Sequence, residues 1–209
     1  MKKGRQDRIA ETLTNCGLKW VMVTEVLITF FIMPVVALIP LMTLKNFSGT
    51  AYQVSLIELL FGSGALVGGI LLGIWNPRIR KVVMINISYI IIGVSIFVSG
   101  ILPPSAFIIY AIFAIVQGIS MPFYSGPFTA LLQTQIEVSF LGRVFSLFDS
   151  ISLLPSILGL LATGFIADAI GIANVFVICG IAIVITGTLA FFIPSITVSY
   201  THLTLPTKL

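Results

Sequence analysis

Along the chain, hydrophobic positions gather into six long runs at about 20–44, 54–75, 82–101, 105–132, 144–170 and 172–193, separated by short polar stretches. A helix needs about 20 residues, at roughly 1.5 Å rise each, to cross a bilayer core, and every run is long enough. The pattern predicts an all-α membrane protein of six transmembrane helices occupying 20–196. The tightest junction is the last, where only 169–173 is available and Gly171 is the residue suited to the turn. Ahead of the first run lies a lead-in over 1–19, in which Ile9, Leu13 and Cys16 share one helical face and predict a short helix along the membrane surface.

The most informative stretch is 118–146, GISMPFYSGPFTALLQTQIEVSFLGRVFS. It ends one apolar run, crosses a polar loop and opens the next. Within it Pro122, Gly126 and Pro127 each disfavour the backbone hydrogen-bond ladder of a helix, so this segment predicts a broken fourth span able to serve as a gate. A break in lipid is tolerated where neighbouring helices cover the freed carbonyls or where it lines a watery cavity.

Composition agrees with the membrane reading. Of 209 residues, 58% are hydrophobic and 9% charged, whereas a soluble domain carries about a quarter charged residues. The net charge of +4 is topological and does not call for a nucleic acid. Lys2, Lys3, Arg5, Arg8, Lys19, Arg78, Arg80, Lys81, Arg143 and Lys208 fall on one side of the predicted bundle and Lys45 on the other. Arg78, Arg80, Lys81 and Arg143 then mark cytoplasmic loops, and both termini are expected in the cytoplasm, with the chain in the plasma (inner) membrane. Cys16 and Cys179 lie at different depths and are not expected to pair.

Glycines suggest where helices approach. The second span carries two four-residue ladders, Gly64 with Gly68 and Gly69 with Gly73, and the fifth carries Gly159 and Gly164. The second and fifth spans hold corresponding places in two sets of three, so their likeness suggests a three-plus-three inverted repeat.

Four acids lie within or at the edges of apolar runs. Glu58 and Asp168 read as helix-end residues. Glu25 and Asp149 are the candidates for a proton pathway, Glu25 first because its surroundings are mostly apolar; Gln117 and Tyr124 are candidates for lining a substrate pathway, because they flank or fall within the proline segment. For all of these, interhelical hydrogen bonding is the competing role. FGSGA at 61–65 faintly resembles the serine motif of intramembrane proteases, but the only histidine, His202, lies in the tail and no span offers a partner. Neither HExxH nor GxxxxGK[ST] occurs. No enzyme, metal, nucleotide or other cofactor chemistry is expected.

MPVVALIPL at 33–41, GGILLG at 68–73, SGILPP at 99–104, GISMPFYSGPFTALLQ at 118–133, LGRVFSL at 141–147 and GLLATGFIADAIG at 159–171 together resemble the carboxyl-terminal six-helix half of a major facilitator superfamily transporter, nearest its macrolide-efflux branch. The resemblance implies an antiporter of twelve helices, whose halves rock about a central cavity and export a small hydrophobic drug against protons. Its partners would be the lipid bilayer and an amino-terminal six-helix half or a second copy. It also makes 1–19 the end of a central loop. The loop IWNPRIRK departs from the superfamily's signature by lacking its acidic residue. The alternatives are a nutrient carrier of the same superfamily and a non-transporting six-helix assembly protein. Beyond 196 the character changes, and 198–207 resembles translated adapter sequence, so 197–209 is expected not to be native.

Overall fold

The computed structural model describes residues 16–74, 80–136 and 138–192. Six helices cross the bundle: α1 (Cys16–Leu41), α2 (Ala51–Ile74), α3 (Lys81–Ile101), α4 (Phe107–Gln135), α5 (Val138–Ile170) and α6 (Ile172–Phe191). A π-helical turn, Met42–Asn46, extends α1, and one 3-10 turn, Pro104–Ala106, opens α4. All six are long and apolar enough to span a membrane.

Three boundaries differ from the sequence pattern. The first helix starts at Cys16, so Lys19 lies inside it; Ile9, Leu13, Arg78 and the tail 197–209 lie outside the described residues. α5 begins at Val138, which puts Arg143 on an exposed face within the helix and not in a loop. Lys81 likewise is the first residue of α3, and its Nζ donates to the Ala130 carbonyl of α4 at 3.3 Å. Hydropathy marks where apolar residues end, but a helix continues as long as its backbone ladder is satisfied, and the polar turns of α5 and α3 are helical for that reason. Gly171, at φ 87°, makes the turn into α6 in the left-handed region open to glycine.

The neighbour order exposes the internal symmetry. α3 packs on α6 at the centre; α3 also meets α4, and α4 meets α2, while α6 meets α1, and α1 meets α5. The helices therefore follow the arc α2, α4, α3, α6, α1, α5. Exchanging α1 with α4, α2 with α5 and α3 with α6 gives the same arc read backwards, which is the signature of two three-helix units related by a two-fold axis. Each unit has an odd number of spans, so the repeat is inverted.

Close backbone approach holds these pairs together, since apolar burial does not separate protein from lipid tails. A Cβ at Gly64 would stand 2.5 Å from the Ile115 carbonyl, and at Gly68 and Gly118 it would collide with the backbone of Ile119 and Phe61. In the central pair, Gly180 meets the Phe97 backbone and Gly93 meets Val184. Gly69, Gly73 and Gly164 face no described atom within 4 Å, so the second ladder of α2 makes no contact with the described residues. Stepping one residue, from Gly68 to Gly69, turns the helix by about 100° and carries the ladder off the α4 face. Hydroxyls cap their own helices, as Ser95 does to the Ile91 carbonyl at 2.7 Å and Thr163 to Gly159 at 2.6 Å, which satisfies them where water is absent.

Candidate functional site

A cavity of about 330 Å³ opens between α1, α2 and α4 over a floor of α3. Aliphatic side chains make most of its wall, among them Ile32, Val36, Ile39 and Ile57 on the flanks and Ile92 and Ile96 below. Its polar groups are few: Glu58 from α2, and Gln117 and Tyr124 from α4. This is the usual composition of a site for a bulky apolar ligand, in which a small number of polar groups set orientation.

Two methionines face into it, Met33 from α1 and Met121 from α4, each followed by a proline, Pro34 and Pro122. These helices occupy equivalent places in the two repeat units. Neither helix is broken. α1 runs through Pro34 and Pro40, and α4 runs through Pro122, Gly126 and Pro127 without interruption, contrary to the expectation of a broken fourth span. Proline removes one donor from a ladder, and tight neighbours accommodate the loss without unwinding. The Phe30 carbonyl, which Pro34 deprives of its amide donor, is the atom nearest to where a Cβ of Gly159 would stand, at 3.0 Å. In α4, Ser125 donates to the Met121 carbonyl at 3.1 Å.

Beyond the end of α1, aromatic rings from the α1–α2 link and from the start of α4 pack together. Phe47, after the π-helical turn, stacks on Tyr110 with centroids 4.7 Å apart and 19° between planes, and Phe107 packs edge-on to Phe47. Met42 and Thr43 are fully enclosed beneath them.

Toward the termini lies a second group of polar side chains. Tyr124 leans on Tyr89 of α3, with ring centroids 5.3 Å apart. Among the described residues, Glu25 Oε2 is buried without a hydrogen-bond partner, and the same holds for Asn86 Nδ2, Tyr89 Oη and Ser152 Oγ.

Of the residues singled out from the sequence, Gln117 and Tyr124 thus share the cavity, Glu25 on α1 is not part of its lining, and Asp149 is exposed on α5 away from it. Glu58, read as a helix-end acid, lines the cavity, as do Met33 and Met121, which sequence reasoning did not single out. A signal for the methionines was present: the Met-Pro pair recurs in the first and fourth runs, the two that an inverted repeat makes equivalent. Arg80 is exposed, and its carbonyl accepts from the Met84 amide at 3.1 Å to open α3.

The model of the Major Facilitator Superfamily matches residues 21–207. The chain belongs to this superfamily. Its members are transporters and not enzymes, in keeping with six apolar helices and a multi-pass membrane protein. Macrolide efflux protein A of Streptococcus pyogenes is 38% identical over 179 residues, which cover 86% of this chain and 44% of that protein. The protein of the same name from Enterococcus faecalis is 40% identical over 155 residues, 74% of this chain and 48% of its own length. Multidrug efflux pump Tap of Mycobacterium tuberculosis is 28% identical over 135 residues, 64% of this chain and 31% of the pump. The chain spans about half the length of the curated macrolide-efflux relatives it matches.

Proposed function

We propose that this chain is one half of a drug exporter of the major facilitator superfamily, working in the plasma membrane with both termini in the cytoplasm, and that it moves macrolides or similar hydrophobic molecules outward in exchange for protons. The apolar cavity between the repeat-equivalent helices α1 and α4 carries this reading, because its wall offers a large hydrophobic molecule dispersion contacts and only a few polar anchors. Methionines at Met33 and Met121 suit such a site, since their flexible thioethers repack around different shapes. A polar nutrient would leave most of this wall unmatched, which disfavours the carrier alternative.

The other wall of the pathway would come from an amino-terminal six-helix half or from a second copy. Outward-facing surface is extensive on α2 and α5, the two ends of the arc, where Leu66 is 72% and Phe165 83% exposed. Gly62, Gly69 and Gly73 lie on the uncovered side of α2, where another helix has room to approach. In this arrangement α1 and α4 rock at Pro34 and Pro122 while the glycine contacts of α2 with α4 tie the two three-helix units to each other.

The test is intracellular macrolide in cells producing the chain joined to the amino-terminal half of its Streptococcus pyogenes relative. The expected result is reduced accumulation that disappears when the proton gradient is collapsed. Accumulation equal to that of cells lacking the protein removes the exporter reading, and reduced accumulation that survives collapse of the gradient removes proton exchange.

A further inference from the structure

Among the described residues, five buried side-chain polar atoms lack a partner, and two of them, Asn86 Nδ2 and Tyr89 Oη, stand one turn apart on α3. Both side chains are enclosed, Asn86 at 3% and Tyr89 at 1% exposure. Neighbouring hydroxyls on this helix are bonded to their own backbone: Ser88 donates to the Met84 carbonyl at 2.9 Å and Ser95 to the Ile91 carbonyl at 2.7 Å. A phenol hydroxyl is held too far from its own helix to do the same.

The pair lies beside the cavity. Ile92 and Ile96, which floor it, follow Tyr89 by three and seven residues, so Tyr89 continues their helical face about 4.5 Å further along α3. From across, Tyr124 lays its ring against Tyr89, with centroids 5.3 Å apart and 38° between planes, and Tyr124 itself lines the cavity. Behind, Gly187 of α6 presses on the base of Tyr89, since a Cβ there would stand 3.3 Å from the Tyr89 Cβ and 3.6 Å from the Asn86 carbonyl. The Tyr89 ring is thus held between α6 and α4, and the half-buried Tyr124 joins it to the cavity.

We propose that Tyr89 and Asn86 form an inner subsite of the cavity, opened when the Tyr124 ring turns aside, that takes an uncharged carbonyl or hydroxyl oxygen of a bulky apolar ligand. This rests on the exporter reading of the cavity. An enclosed donor without a partner destabilises the free chain, and a ligand oxygen accepting from the Tyr89 hydroxyl and the Asn86 amide removes that cost in the complex alone. No bond within the protein has to break first, so the new hydrogen bonds favour binding directly. Both groups are neutral donors and match a neutral acceptor, whereas an anion taken this deep would meet the full cost of leaving water. The subsite therefore selects, among molecules that fit the apolar wall, those that carry oxygen.

The experiment uses the full chain in lipid nanodiscs with two probes: a fourteen-membered macrolide, rich in carbonyl and hydroxyl oxygens, and tetraphenylphosphonium, a bulky apolar ion with no atom able to accept a hydrogen bond. Tyr89→Phe removes only the hydroxyl. The expected result is a pair of effects in opposite directions: without ligand, Tyr89→Phe unfolds at the same temperature as wild type or higher, while its macrolide affinity falls about fivefold or more and its affinity for tetraphenylphosphonium is kept. Asn86→Ala should lower the ratio of macrolide to tetraphenylphosphonium affinity by a similar factor. An unchanged ratio in either variant overturns the subsite and leaves the exporter reading standing. A Tyr89→Phe chain that unfolds more easily, or fails to fold, also overturns it, because the hydroxyl then has a partner in the free chain. Failure of wild type to bind the macrolide overturns both readings.

Discussion

Met33 and Met121 line the same cavity from helices that the internal two-fold axis makes equivalent, and each precedes a proline within an unbroken helix. The relationship links the repeat to the site. A residue pair placed by symmetry on α1 and α4 lies where the two units must move if the cavity is to open alternately, and a proline beside each gives the helix one fewer hydrogen bond to strain as it bends.

Filling the cavity from either side should therefore be equivalent. Met33→Trp and Met121→Trp each put an indole into about 330 Å³ of space, and each is expected to weaken macrolide binding by about tenfold, or about 1.4 kcal/mol. Met33→Leu and Met121→Leu conserve volume and should change affinity by less than about threefold. Binding to the chain in nanodiscs reads both, and a large effect from one tryptophan with none from the other would argue against a shared wall.

The two glycine ladders of α2 should part company in stability. Gly68→Val and Gly118→Val drive a side chain into the backbone of the facing helix, which neither partner can yield without separating, at a cost of about 1–3 kcal/mol or more. Gly69→Val and Gly73→Val meet no described residue and should stay within about 0.5 kcal/mol of wild type. Unfolding of the purified chain in detergent measures the difference.

Pro34→Ala restores an amide donor for the Phe30 carbonyl. The expected outcome is a helix more stable by about 1 kcal/mol, with slower export by the joined protein if the bend at this point serves the transport motion. Gly159→Ala acts in the opposite sense, placing a methyl 3.0 Å from that carbonyl, and should lower the unfolding temperature. Thermal denaturation and export rate, measured on both variants, separate the two effects.

Orientation is checked by labelling. In a chain whose Cys16 and Cys179 are replaced, a cysteine at Ser48 should react with an impermeant maleimide on intact cells, while cysteines at Arg80 and Arg143 should react only after permeabilisation. All three positions are exposed, so accessibility to the reagent depends on the side of the membrane alone. The reverse pattern would invert the proposed topology.

Hydropathy by itself determined that six helices cross a membrane, because a run of about 20 apolar residues has no cheaper place than lipid. The likeness of the second and fifth spans, which the symmetric arc of helices explains, was legible too, whereas the proline-rich segment of α4 read as a break and is an unbroken helix. Contacts were not legible. Gly64 and Gly69 look alike in sequence, yet one abuts Ile115 and the other meets nothing, and Glu58 looks like a helix-end acid until α2 closes beside α1 and α4 around the cavity. In water a polar face tells which side of a helix is outward, whereas in lipid both faces are apolar, so only packing between segments far apart in the chain could choose the side. The same holds for Tyr124: its position beside the proline segment could be read directly, but that its ring packs on Tyr89, thirty-five residues earlier, was decided by the tertiary structure.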